Sequence, residues 1–160
     1  GKNKRPFTMY KIRTMIEGAE RLQGKYAKLN EADGPVFKIR NDPRYTKIGK
    51  IIARIALDEL PQLWNVIRGE MALVGPRPLP VKEANKVPEK YRARFSILPG
   101  MTSSWVIKGG HKLKFEQWMK LDLEYINRRS FFYDLKILFL TTILIIRLAM
   151  STLLFILKKA

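Results

Sequence analysis

Apolar residues recur at about every second place in Phe7-Thr8-Met9-Tyr10-Lys11-Ile12-Arg13-Thr14-Met15. That is the period of a half-buried strand, and it leaves Lys11 and Arg13 on the other face. The spacing then predicts a helix from Ile16 to about Leu29. Asp33-Gly34-Pro35 is a turn signal, and Lys38 to Arg44 reads as a basic loop. A short helix fits Thr46 to Ala56. In the next segment Asp58 suits an N-cap, Pro61 falls in the first turn and Gly69 suits the place just past a helix end. A helix is therefore expected there, burying Leu60, Leu63, Trp64 and Ile67.

Met71 to Val74 reads as a short strand running into Gly75-Pro76-Arg77-Pro78, where proline on either side of Arg77 stiffens the turn and aims the arginine. A polar helix is predicted over Lys82 to Phe95, a loop over Leu98 to Thr102, and a further helix over Phe115 to Asn127 with Trp118, Leu121 and Tyr125 on one side. Between Ile137 and Leu157 the only polar side chains are Thr141, Thr142, Arg147, Ser151 and Thr152. Such a stretch is long enough to span a bilayer, but a charge at its centre costs about 2.5–3.5 kcal/mol on insertion scales. Lys136, Arg147 and Lys158 recur every eleven residues and line one side. The pattern favours a helix lying in the membrane interface, its basic stripe on the headgroups, over a packed core or dimer helix and over a membrane span.

Composition narrows the chemistry. The chain has 160 residues, 46% of them hydrophobic, enough for one folded domain without disulfides. It has no cysteine and one histidine, His111, a loop residue given no role. Disulfides, thiolate zinc sites, thiol nucleophiles, histidine metal clusters and a Ser-His-Asp triad within one chain are thereby excluded. Lys and Arg number 31 against 14 Asp and Glu, a net charge of +17. That excess calls for an anionic partner: nucleic acid, an anionic membrane surface or a phosphate-bearing substrate. No apolar signal-peptide core follows Gly1-Lys2-Asn3-Lys4-Arg5, so no export is expected.

Asp58 and Glu59 at a helix start can be read simply as caps favoured by the helix dipole. Their company points elsewhere. Arg40, Arg44, Lys47, Lys50, Arg54, Arg68 and Arg77 surround the pair in sequence, a set suited to phosphates. Two carboxylates among many cations suggest Mg²⁺-assisted phosphoryl chemistry, because the hard metal takes carboxylate and phosphate oxygens together.

Leu57-Asp58-Glu59-Leu60-Pro61-Gln62-Leu63, Gly69 to Pro78, Pro99-Gly100-Met101-Thr102, Leu121 to Ile126 and Asp134-Leu135-Lys136-Ile137 occur in order over nearly the whole chain. In these segments the sequence resembles the bacterial sugar transferases, the monotopic polyprenyl-phosphate phosphoglycosyl transferase family. An α+β, mostly helical catalytic core over 1–130 and a C-terminal membrane-interface helix over 131–160 are expected. The resemblance implies the activity, transfer of a sugar 1-phosphate from a nucleotide diphosphate sugar, usually a UDP-sugar, to undecaprenyl phosphate, with release of UMP. The setting would be the cytoplasmic face of the bacterial inner membrane, at the first membrane step of exopolysaccharide, capsule or O-antigen synthesis; oligomers are compatible with it. Asp58 would be the nucleophile, forming an aspartyl-phosphosugar, and Glu59 with Asp58 would hold Mg²⁺. Arg77, framed by Pro76 and Pro78, would contact phosphate, and Arg13, Arg44 and Arg94 match basic positions of the family. Asp122 matches an acid of unassigned role.

The chain also departs from the family pattern. The re-entrant hydrophobic helix that precedes the basic strand in the family is not in this sequence. Ala53 stands where many relatives have arginine, with Arg54 beside it, and the Ser103 to Gly110 segment has Val106 and Gly110 in place of a glutamine and an arginine. Lys108 or Lys112 could substitute. These departures support a second reading, a non-catalytic basic adaptor derived from this fold that binds anionic lipid; the charge alone fits a third, a nucleic-acid binder, for which no recognition motif is present.

Overall fold

The computed structural model describes residues 1–110 and 113–158, so His111 and Lys112 lie outside the described residues. Helix α1 spans Lys47–Arg54, and its N-cap Thr46 accepts the Gly49 amide at 2.9 Å through its hydroxyl. A 3₁₀ turn over Leu57–Glu59 leads into α2, Gln62–Ile67, and Gly69 at φ +72° closes it. Strand β1, Ala72–Val74, pairs in parallel with β2, Gly100–Thr102. Gly100 is obligatory at this crossing, because a Cβ there would overlap the Gly75 backbone. Between the strands lie α3, Val81–Ala84, and a 3₁₀ helix over Glu89–Phe95. The short α4, Ser104–Ile107, precedes α5, Phe115–Arg128, and α6, Phe131–Leu157. The α+β, mostly helical class expected from the sequence is what forms.

Two apolar clusters hold the body. One joins Val87, Tyr91, Phe115 and Met119; the other joins Val74, Tyr125 and Ile137 of α6. Gly34, in the expected turn, takes φ +69° directly against the Phe115 ring, where a side chain would not fit. Helix α6 is anchored through Ile137 and Thr152 and by the Thr102–Thr141 hydroxyl pair at 2.8 Å, while much of its apolar surface stays uncovered.

Several expectations are corrected. Over residues 7–15 the one β-bridge among the described residues is Met15 with Tyr45; otherwise the Ile12 amide bonds the Asp58 carbonyl, the Thr14 carbonyl accepts the Thr46 amide, and Asn65 holds Thr8 and Tyr10, so the expected strand does not form. Residues 17–26 form a series of turns closed largely by i→i+3 bonds, with Gly18 at φ +72° at its start, so the helix expected over 16–29 is replaced by turns and a 3₁₀ turn at Ala27–Leu29. The polar helix over 82–95 is cut where Pro88, which lacks an N–H, restricts Val87 to extended backbone. In α5 the buried positions are Phe115, Met119, Asp122 and Tyr125.

The largest correction concerns α2. The helix begins after Pro61, so Asp58 precedes it and is no N-cap; the cap of its own turn is Ala56, left-handed at φ 58°. The stripe expected to be buried faces out: Leu60, Leu63, Trp64 (54% exposed) and Ile67 (74%) lie at the surface. The inward face is polar, made by Gln62 and Asn65 three places apart, with Asp58 buried in the turn before the helix. Asn65 is wholly buried because it ties down the N-terminal segment: it accepts the Tyr10 amide and donates to the Thr8 carbonyl at 2.7 Å and to Glu70 at 2.6 Å.

Candidate active site

The Leu57–Glu59 turn presents two adjacent carboxylates in different settings. Ala56 reverses the chain in the left-handed region, a conformation that costs a residue with a Cβ about 1–2 kcal/mol. The Asp58 side chain is then nearly buried, at 8% exposure. Its carbonyl accepts the Ile12 amide at 3.0 Å, which brings the N-terminal segment across the turn. This contact places Lys11 over the acid pair, its Nζ 3.0 Å from Asp58 Oδ2 and 3.3 Å from Glu59 Oε1.

Arg77 reaches Glu59 from the other side. Its Nη2 donates to Glu59 Oε1 at 2.6 Å, and its guanidinium stands 6.0 Å from the Trp105 ring. Burial pushes the Glu59 carboxyl up, but Arg77 and Lys11 together outweigh it and hold the group below its ordinary value. Pro76 is buried and Pro78 half-buried. The Pro76 carbonyl accepts the Gly100 amide at 3.0 Å, and the Arg77 carbonyl accepts Arg94 Nη2 at 2.8 Å.

Among the residues singled out from the sequence, Asp58, Glu59, Arg77, Pro76 and Pro78 therefore meet in one place. Arg13 is exposed, two residues beyond Lys11. Arg44 is buried in a pair with Asp42, three of whose contacts run from 2.6 to 3.1 Å, and it also donates to the Ala19 carbonyl. Arg94 is buried against Asp122. Lys108 is paired with Glu124 at 3.2 Å, and Ala53 and Arg54 lie on α1, Arg54 exposed.

Sequence reasoning missed Lys11, which is 48 positions from Glu59 and meets it only through tertiary contact. Two further groups feel charges of the site: burial, followed by the charge of Arg77, lowers Lys38 to about 8, and burial and then the Asp58 charge raise the Tyr45 phenol.

Among the described residues no three Asp, Glu, His or Cys side chains gather to form a protein cage for a metal. Two adjacent carboxylates nonetheless fit Mg²⁺, which commonly takes one or two carboxylates and completes its shell with water and substrate phosphate. The arrangement offers a buried carboxylate, a second carboxylate held by arginine, and cations on both sides suited to a bound diphosphate.

The family model described as bacterial sugar transferase matches residues 1–148. The chain is 43% identical over 142 residues to the galactosyl transferase CpsE of Streptococcus agalactiae, covering 88% of this chain and 32% of that protein. It is 40% identical over 152 residues to an undecaprenyl-phosphate glucose phosphotransferase of Komagataeibacter xylinus, covering 88% of this chain and 27% of the relative. It is 38% identical over 141 residues to the uncharacterized sugar transferase EpsL of Bacillus subtilis, at 88% and 63%. The chain thus spans about a third of the length of the longer relatives.

Proposed function

The chain belongs to the bacterial sugar transferase family, and on that premise we propose that it moves a sugar 1-phosphate from a UDP-sugar to undecaprenyl phosphate through Asp58. The observation that carries this reading is the near-buried Asp58 carboxylate with Lys11 and the Arg77–Glu59 pair around it. An Asp58 oxygen attacks the sugar-linked phosphorus, the bond from that phosphorus to the bridging oxygen breaks, and UMP leaves with the bridging oxygen. A phosphate oxygen of undecaprenyl phosphate then attacks the same phosphorus, and Asp58 is released as carboxylate. Two displacements at one atom let a water-soluble donor and a lipid acceptor use one site in turn.

Lys11 and Arg77 hold the diphosphate and draw off its charge so that an anion can approach. Asp58 and Glu59 would hold Mg²⁺, which when bound withdraws further charge from the phosphates. Because α2 starts four residues after Asp58, its dipole does not act on the carboxylate as on a cap; Lys11 supplies the counter-charge.

The lipid acceptor explains the outward face of α2. Leu57, Leu60, Leu63, Trp64 and Ile67 form an exposed apolar surface beginning at the residue before Asp58. With the uncovered side of α6, it would rest on an anionic membrane surface at the cytoplasmic face of the inner membrane, opening the carboxylate toward the acceptor.

The test is UMP release from a panel of UDP-sugars with undecaprenyl phosphate and Mg²⁺ in detergent. Transfer from at least one donor is expected, abolished in Asp58→Asn and strongly slowed in Glu59→Gln. Wild-type turnover in Asp58→Asn overturns the covalent role. Vesicle binding without transfer from any donor replaces this reading with the lipid-binding adaptor.

A further inference from the structure

The buried pair between Arg94 and Asp122 is costly. Arg94, on the 3₁₀ helix, is 2% exposed in its side chain and Asp122, on α5, 1%. Arg94 Nε and Nη2 both donate to one oxygen, Asp122 Oδ2, at 3.0 and 2.9 Å. The other oxygen, Oδ1, is buried without a hydrogen-bond partner among the described residues. Burying two charges carries a desolvation penalty that two apolar side chains of similar size avoid, often with equal or better stability. Holding the core together does not account for such a pair.

What an apolar couple cannot supply is the third hydrogen bond of Arg94. Its Nη2 also donates to the Arg77 carbonyl at 2.8 Å. The turn around Arg77 has a proline on each side, so neither neighbour has an N–H to hold it from within. The peptide before Arg77 is held by the Gly100 amide on the Pro76 carbonyl, and the peptide after it by Arg94. With both flanking peptide planes fixed, the direction of the Arg77 Cα–Cβ bond is fixed, and the guanidinium is delivered to Glu59. Arg94 itself is too deeply buried to meet a substrate.

We propose that Asp122 is a positioning residue of the transferase site: it orients Arg94, Arg94 holds the Arg77 carbonyl, and that hold sets where the Arg77 guanidinium stands against Glu59. The proposal rests on the transferase reading for its effect on turnover, and on geometry alone for its effect on Arg77.

Two variants test it in the full protein. Asp122→Asn breaks the charge pair, and Arg94→Met combined with Asp122→Leu replaces it by apolar groups that keep the core filled. Each is expected to lower kcat for UMP release by at least about tenfold, the scale on which small misplacements of catalytic groups act. The loss should vanish to within about twofold when Arg77→Ala is already present, because the effect passes through Arg77. An equal loss in both backgrounds, or full turnover in the apolar swap, overturns the proposal. A crystal structure of the apolar swap decides independently of activity. Separation of the Arg77 guanidinium from Glu59 supports it, and an intact pair refutes it even if the wild type transfers nothing, the result that would sink the transferase reading alone.

Discussion

At the residue scale, the site is built from positions that are unfavourable when taken singly. Ala56 sits at φ 58°, two residues before Asp58. Replacing it by glycine removes the Cβ clash but adds backbone freedom to the unfolded chain, so Ala56→Gly is expected to change stability by less than about 1 kcal/mol. Ala56→Val should cost more than about 1–2 kcal/mol, because a β-branched residue resists the left-handed region; denaturant midpoints distinguish the two. Burial lifts the Asp122 carboxyl from 3.8 to about 6, even with Arg94 beside it. The unfolded chain loses that proton near 3.8 and the folded protein near 6, so between those values the folded state binds more protons. The contribution of Asp122 to stability is thus full below about 4 and is lost as pH rises through about 6. Melting curves of the wild type and of the Arg94→Met, Asp122→Leu swap should diverge in the swap's favour between pH 4 and 7. A constant difference across that range would show that the carboxyl is not lifted.

At the element scale, α2 is held by its polar face and uses its apolar face elsewhere. Asn65 and Gln62 are buried, and Asn65 alone bonds Thr8, Tyr10 and Glu70. Leu63 and Trp64, each about half exposed, make little of the core. Leu63→Glu with Trp64→Glu is therefore expected to shift the melting temperature by only a few degrees, in the range of surface changes. The same double variant should lose most of its binding to vesicles, because it puts charge into the face that would enter the acyl boundary. Unfolding of this variant would restore the buried helix first expected from its pattern, and unchanged vesicle binding would remove α2 from the membrane contact.

At the scale of the whole molecule, a net charge of +17 has to be met by something. Arg44 on Asp42, Arg94 on Asp122, and Arg77 and Lys11 on Glu59 are cations matched to acids already subtracted in that figure. Much of the excess is on the surface, where interactions over more than about 8–10 Å are screened at ordinary ionic strength. Vesicle binding is accordingly expected to rise with the fraction of anionic lipid and to weaken as salt is raised, each surface cation adding about 1 kcal/mol at low salt. Sedimentation with phosphatidylglycerol and with neutral vesicles measures this. Binding that ignores both lipid charge and salt would mean that the apolar faces of α2 and α6 act without help from the basic surface.

Excluded mechanisms, candidate site residues and much of the local structure were legible in the chain alone. Cysteine and histidine content removed whole mechanisms, the two prolines marked the arginine turn, and Gly34 and Gly69 marked places where the chain turns with positive φ. The acid pair with that turn was legible because its residues are close in the chain and their order is specific. Only the tertiary structure decided which way α2 faces, because periodicity identifies an apolar stripe without saying whether protein or something else covers it. Tertiary structure also brought Lys11 to Asp58 and Glu59, and showed that Arg44 and Arg94 are spent on Asp42 and Asp122. These are contacts whose energies depend on burial and on partners folded into place. A lysine on an extended segment looks the same in sequence whether it meets water or a carboxylate; chain folding makes it one or the other.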